Sequence, residues 1–330
     1  MAFDSKYYLK AESEISSIRN KNSRLIEMRT AEICSKFPDI AALKEKLSGT
    51  SAQLLKLIAD RSVDISHKLD LLEKENIFVQ DQIRRALVSH GYPENYLDPV
   101  YDCPLCRDTG LNDGKRCTCF MDKVKRAAAA DINRTSPMKL NTFDTFELRY
   151  YDDSAPTPAG VTARKVMAYN LEACRKYAEN FHLPYGSLIM RGKTGLGKTH
   201  LSLSIVSEVI SKGYNAIYGS APDIFKMINQ EYYGKSSEDR DTLGLVVSAD
   251  LLVLDDVGAE FDSQFYHSML YTIINDRTNC SRPTVISTNL EHKELEARYG
   301  ERTFSRISTM EELIFYGSDV RVRRAAEQQQ

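Results

Sequence analysis

Residues 192–199 read GKTGLGKT, and this stretch decides how the C-terminal half of the chain is read. Gly192, Gly197, Lys198 and Thr199 fit the pattern G-x-x-x-x-G-K-[ST]. The strand-like run SLIMRG (187–192) leads into it and the helical run THLSLSIVSEVISKG leads out. That is the context in which such a loop cradles phosphate. Glycine lets the backbone curl, so the amides of Gly192, Lys193, Thr194, Gly195, Leu196 and Gly197 can point at phosphate oxygens. The N-terminus of the following helix adds the positive end of its dipole. Lys198 is then expected to bridge the β- and γ-phosphates of ATP, and Thr199 to hold Mg²⁺.

A phosphate loop of this kind needs an acid at the end of a later strand. DLLVLDD (250–256) supplies it: apolar residues carry Asp255 to the C-terminal edge of a sheet, where open α/β folds bind ligands. Asp255 is expected to bind Mg²⁺, directly or through water, and Asp256 to orient or deprotonate the attacking water. A glutamate is commoner at the second position in related ATPases. PTVISTN (283–289) brings Asn289 to the same edge, within reach of the γ-phosphate or the water. With NAIYGS (215–220) these runs alternate with helices expected to start near Lys198, Ala221 and Ser263. The alternation predicts an α/β domain with a parallel sheet.

Composition agrees with a globular chain. Of 330 residues, 42% are hydrophobic and 27% charged. A net charge of −2 supplies no global basic field, so any nucleic-acid contact must come from a local patch. No apolar run of about 18 residues predicts a membrane span, and MAFDSKYYLKAESEISS lacks the pattern of a secretory signal. A cytoplasmic location is the expectation.

Up to about residue 92 the chain reads as helical. Glycine occurs at Gly49 and next at Gly91, while Leu54, Leu55, Leu57, Ile58, Val63, Ile65, Leu69, Leu71 and Leu72 recur at helical spacing. Pro38 and SGTSA (48–52) predict breaks that give two or three helices, as a small bundle or hairpin, with an extended coiled coil as the alternative. DKVKRAAAADIN (122–133) reads as a further helix, and the terminal EQQQ as a disordered end. The expected organisation is a helical adaptor over 1–100, a metal module over 101–126 and an ATPase domain over 127–330.

Cys103, Cys106, Cys117 and Cys119 follow the spacing C-x₂-C-x₁₀-C-x-C. Two close pairs joined by a loop with turns at DTG and NDG can converge on a tetrahedral ion. Four thiolates leave no open position, so a structural Zn²⁺ is expected; free thiols, disulfides or an iron–sulfur cluster are the alternatives. The second pair is C-x-C where C-x-x-C is more usual. Cys34, Cys174 and Cys280 are expected in the core.

GERTFSRI (300–307) and SDVRVRR (318–324) complete the order of motifs. Phosphate loop, acidic strand, asparagine, ER…SR helix and late arginine together resemble the AAA+ ATPase superfamily. More narrowly, GKTGLGKTH, LLVLDDVGAE, RPTVISTNL and YGERTFSRI resemble the bacterial replicative-helicase loaders of the DnaC/DnaI type, with an ATP-binding core also similar to that of the IstB type. The resemblance implies an AAA+ three-layer P-loop domain, a homo-oligomer when ATP is bound, and two partners: the replicative DNA helicase and single-stranded DNA. It matches Arg306 to an arginine finger that reaches a neighbouring subunit's γ-phosphate, with Arg302 nearby, and Arg321 to an arginine that reaches the subunit's own nucleotide. It places NTFDTFELRYY (141–151) close to adenine, although Phe143 and Phe146 are expected to pack rather than stack on the base. It also points to residues 221–240 as a DNA contact, through Lys226, Lys235, Tyr232 and Tyr233, against ordinary packing. A transposition helper ATPase and a metal-stabilised adaptor that binds ATP with little hydrolysis are the competing functions.

Overall fold

In a computed structural model, the structure describes residues 5–59, 65–133, 141–234 and 241–328. The chain divides into two compact units, Glu12–Phe120 and Met121–Gln330, the latter including Met1–Ala11.

Helices α1 (Ser5–Lys36), α2 (Pro38–Ala59) and α3 (Ile65–Ser89) open the chain. Pro38 stands at the first position of α2, where its missing N–H costs nothing, and α1 ends just before it. Ile33, Ile40, Val79, Ile83, Leu87 and Leu97 bury one another. The break expected at 48–52 does not occur, because α2 continues through Gly49. Glycine inside a helix costs only about 1 kcal/mol relative to alanine, and α2 packs along α3. The side chains of Leu54, Leu55, Leu57, Ile58 and Ile65, and all of Val63, lie outside the described residues.

A two-stranded antiparallel hairpin follows, β1 (Leu111–Asn112) and β2 (Lys115–Arg116). Asp113 and Gly114 between them have φ of 50° and 74°. Two positive φ angles match the right-handed twist of a tight hairpin, which is why Asp-Gly stands there. Helix α4 (Thr118–Ile132) comes next.

The larger unit continues with α5 (Ala163–Glu179), β3 (Leu188–Arg191), α6 (Lys198–Ser211), β4 (Ala216–Ser220), α7 (Ala221–Tyr232) and α8 (Thr242–Ser248). Then come β5 (Leu251–Val257), α9 (Gln264–Asn279), β6 (Thr284–Thr288), α10 (His292–Tyr299), α11 (Glu301–Ile307), β7 (Glu311–Ile314) and α12 (Val320–Gln328). The strands form one parallel sheet in the order β4-β5-β6-β3-β7. Leu188, Met190, Leu251, Val253 and Val285 bury one face with residues of α5 and α6. The alternate residues Ile189, Leu252, Leu254 and Ile286 are equally buried on the other face, where α7 packs on β5 and α8 joins α7 to α9. Burial on both faces explains why these strands are continuous apolar runs.

Two local expectations are corrected. Glu327 and Gln328 belong to α12 rather than to a loose end, and the Tyr150 hydroxyl donates to Glu327 at 2.9 Å. Cys280 is exposed because it terminates α9 at a surface turn, whereas Cys174 is buried and Cys34 half-buried. No helix among the described residues is long and apolar enough to cross a membrane.

Candidate nucleotide and metal sites

The loop 192–197 joins β3 to α6 at the C-terminal edge of the sheet. Gly192, Gly195 and Gly197 have φ of 152°, 78° and 88°. A Cβ at Gly192 would stand 2.5 Å from the Phe315 carbonyl oxygen, and one at Gly197 2.7 Å from the Phe146 ring. The glycines are therefore required by conformation and by space.

Lys198 opens α6 and is buried. Its Nζ donates to the carbonyls of Gly192 (2.5 Å) and Lys193 (2.9 Å) and to Asn289 Oδ1 (2.5 Å). Burial lowers the pKa of its ammonium, opposed by the charges of Asp256 and Asp255. Asn289 Nδ2 donates to Thr194 Oγ1 at 3.2 Å, so one carboxamide ties the end of β6 to the phosphate loop.

The acids sit where the ladder between β5 and β6 slips, between Leu254 and Val257. The irregularity gives Asp256 a φ of 54° and turns two successive side chains to different tasks. Asp255 is 2% exposed and accepts hydrogen bonds on both oxygens. Thr199 Oγ1 and the Tyr218 hydroxyl each donate to Oδ2 at 2.7 Å, and the Ser287 hydroxyl donates to Oδ1. Asp256 instead faces the cavity, its amide donating to Ser287 Oγ at 3.0 Å. Burial in the cavity wall raises its carboxyl pKa, reinforced by the Asp255 charge and opposed by Lys198 and Arg321.

A cavity of about 340 Å³ gathers Thr194 to Thr199, Asp256, Asn289 and Arg321. It also takes in Asn141, His200, Ala259, Val320 and Arg324, which the motifs did not single out. His200 follows the phosphate loop directly. Arg324 shares the SDVRVRR run with Arg321, and helical spacing places two arginines three apart on one face. Tyr218 and Ser287 were likewise missed, although both stand inside quoted strands.

Arg306 is not brought into this cavity. It lies on α11, donates to Asn275 Oδ1 at 2.6 Å, and lines a separate cavity of about 480 Å³ with Tyr185, Ser187 and Arg282. Arg302, on the same helix, is exposed. Phe146 is buried, stacks on Tyr151 with ring centroids 5.7 Å apart and meets His200 edge-on, while Phe143 packs against the same core. On α7 and just beyond it Lys226, Tyr232 and Tyr233 are exposed, and both tyrosines lie beside Phe265. Lys235 lies outside the described residues.

In the smaller unit the Sγ atoms of Cys103, Cys106, Cys117 and Cys119 all lie within 4.8 Å of one another. Cys103 and Cys117 are 3.9 Å apart, and Cys106 and Cys119 3.4 Å, with no disulfide among them. Four sulfurs each about 2.3 Å from a central tetrahedral ion lie nearly 4 Å apart, so the donor set fits Zn²⁺. Burial and the neighbouring thiols raise the Cys119 pKa, as expected for thiols crowded around a common centre. Buried Asp108 braces the turn: it accepts the amides of Cys103 (2.8 Å) and Asp102 (3.1 Å) and an N–H of Asn22 (3.0 Å).

Phosphate loop, paired acids and bridging asparagine meet at one edge of a parallel sheet, the arrangement of a P-loop nucleotide-binding domain. Residues 162–323 match the family model described as IstB-like ATP binding protein. The replicative helicase loader DnaC of Escherichia coli (strain K12) is 28% identical over 137 residues, 42% of this chain and 56% of that protein. The chain thus matches just over half the length of that relative. An uncharacterized protein, YdaV, of the same strain is 26% identical over 232 residues, 70% of this chain and 87% of its own. The crystal structure of the DnaC helicase loader superposes with a TM-score of 0.45 at 23% identity, over 55% of this chain and 100% of that one.

Proposed function

We propose that the protein is an ATP-dependent loader that assembles in the cytoplasm, holds the replicative DNA helicase and helps place it on single-stranded DNA. The observation that carries the ATPase part is the convergence of Lys198, Asp256, Asn289 and Arg321 on one cavity beside the Thr199–Asp255 pair. The loading part is supported by similarity to proteins named replicative helicase loader, which favours it over transposition.

In this reading the backbone amides of residues 193–197 and the Lys198 ammonium hold the β- and γ-phosphates of ATP, the Gly192 amide being taken up by the Thr288 carbonyl at 3.2 Å. Lys198 reaches the phosphates already oriented by two carbonyls and Asn289. The Thr199 hydroxyl and the Asp255 carboxylate, 2.7 Å apart, are the hard oxygen donors that Mg²⁺ requires. Mg²⁺ held there would neutralise charge on the phosphate oxygens. Asp256 accepts a proton from the attacking water, and its raised pKa makes it a better base than an ordinary carboxylate. Asn289 orients that water or the γ-phosphate, and Arg321 covers the phosphates from α12. Arg306, which does not line the nucleotide cavity of its own chain, acts on a neighbouring subunit's nucleotide, so turnover requires assembly. The four cysteines bind a structural Zn²⁺ that fixes the fold beside the helical adaptor.

The deciding experiment is co-purification with the host's replicative helicase in ATP and in ADP. Capture that depends on the nucleotide is expected, and its absence in both would overturn the loader reading.

A further inference from the structure

Strand β4 is the edge of the sheet, and it carries a contact to the acid on its neighbour β5. Tyr218 stands opposite Val253, two residues before Asp255 on the neighbouring strand. Ser220 is the residue directly opposite Asp255, but its hydroxyl caps α7 by accepting the Asp223 amide at 3.2 Å. Reaching Asp255 from position 218 takes a long side chain that leans along the strand and ends in a donor. Tyrosine does so: it is 9% exposed, and its hydroxyl donates to Asp255 Oδ2 at 2.7 Å. That oxygen is the one that also receives Thr199.

The backbone of Tyr218 is itself held from outside the sheet. Asn133, just past α4, is 4% exposed. Its Nδ2 donates to the Ala216 carbonyl at 2.8 Å, and its Oδ1 accepts the Tyr218 amide at 2.9 Å. One carboxamide thus imitates a neighbouring strand and satisfies two of the groups that β4 turns away from β5.

We infer that Tyr218 is a positioning residue for the metal-binding carboxylate, and that Asn133 sets Tyr218 by pinning the edge strand. This rests on the reading of Asp255 and Thr199 as Mg²⁺ ligands. Hydrogen bonds to a ligating carboxylate fix its orientation, and losing such a partner costs about 10- to 100-fold in metal affinity.

The test is equilibrium binding of a fluorescent ATP analogue across a Mg²⁺ titration, for wild type, Tyr218→Phe and Asn133→Ala. Phenylalanine keeps the packed ring and removes only the donor. The half-maximal Mg²⁺ concentration should rise about tenfold in Tyr218→Phe and by a smaller factor in Asn133→Ala, with Mg²⁺-free binding unchanged in both. A Mg²⁺ midpoint in Tyr218→Phe equal to wild type would overturn the inference alone. So would loss of Mg²⁺-free binding in that variant, because Tyr218 would then act on the fold and not on the metal. A wild-type protein indifferent to Mg²⁺ would overturn the ligand reading and the inference with it.

Discussion

Asn289 Oδ1 lies 2.5 Å from Lys198 Nζ, so the residue that ends β6 touches the lysine that opens α6. Lys198 keeps two backbone carbonyl partners without it. Asn289→Ala should therefore leave ATP-analogue affinity within about threefold and cut turnover about 10- to 100-fold, or about 1.4–2.7 kcal/mol of transition-state stabilisation. Steady-state ATPase kinetics beside equilibrium binding check this; a loss confined to binding would assign Asn289 to the ground state.

Lys198→Ala should abolish ATP binding while the protein stays folded. The ammonium donates to the loop carbonyls of Gly192 and Lys193 and to Asn289, so its contacts are polar rather than core packing. Binding of the same analogue, with circular dichroism as the control for fold, decides it. Wild-type affinity in the variant would remove GKTGLGKT from the nucleotide site.

Arg306→Ala should lower turnover by at least about 10³-fold if it serves a neighbouring nucleotide. Mixing it with Lys198→Ala should restore activity, because the first variant keeps an intact phosphate loop and the second keeps an intact Arg306. Two inactive preparations that stay inactive when mixed would place Arg306 outside catalysis, in its present contact with Asn275.

Purified under reducing conditions, the protein should hold one Zn²⁺ per chain at the four cysteines. A strong chelator should remove it and melt the hairpin Leu111–Arg116, because binding and local folding are coupled. Elemental analysis and amide exchange report both effects, and iron in place of zinc would favour a cluster.

Arg277 is fully buried and donates to carbonyls of Val246, Val247, Ala249 and Pro283 and to Thr284 Oγ1. Arg277→Met should destabilise the larger unit by more than about 3 kcal/mol, since each stranded acceptor costs about 1–3 kcal/mol. Urea denaturation measures it.

Four of the five parallel strands were legible because they are buried on both faces and so read as apolar runs. The fifth, β7, begins Glu311-Glu312, and no periodicity announces it. Its place comes from Arg191, whose guanidinium bonds Glu312 at 2.6 Å across the sheet. The phosphate loop, acids and asparagine were legible because short-range chemistry fixes their spacing. Tyr218 and Ser287 were not, because each acts on Asp255 through strand neighbours distant in sequence. The reading of α2 failed at Gly49 because local propensity was outweighed by packing against α3.

On a regular strand, consecutive side chains project to opposite faces. The slip between Leu254 and Val257 is what lets Asp255 and Asp256 divide the labour. The two carboxylates are therefore not interchangeable copies, and the order Asp-Asp is not redundancy. Deleting one residue from this stretch would leave an acid of the right type at the right edge with the wrong duty.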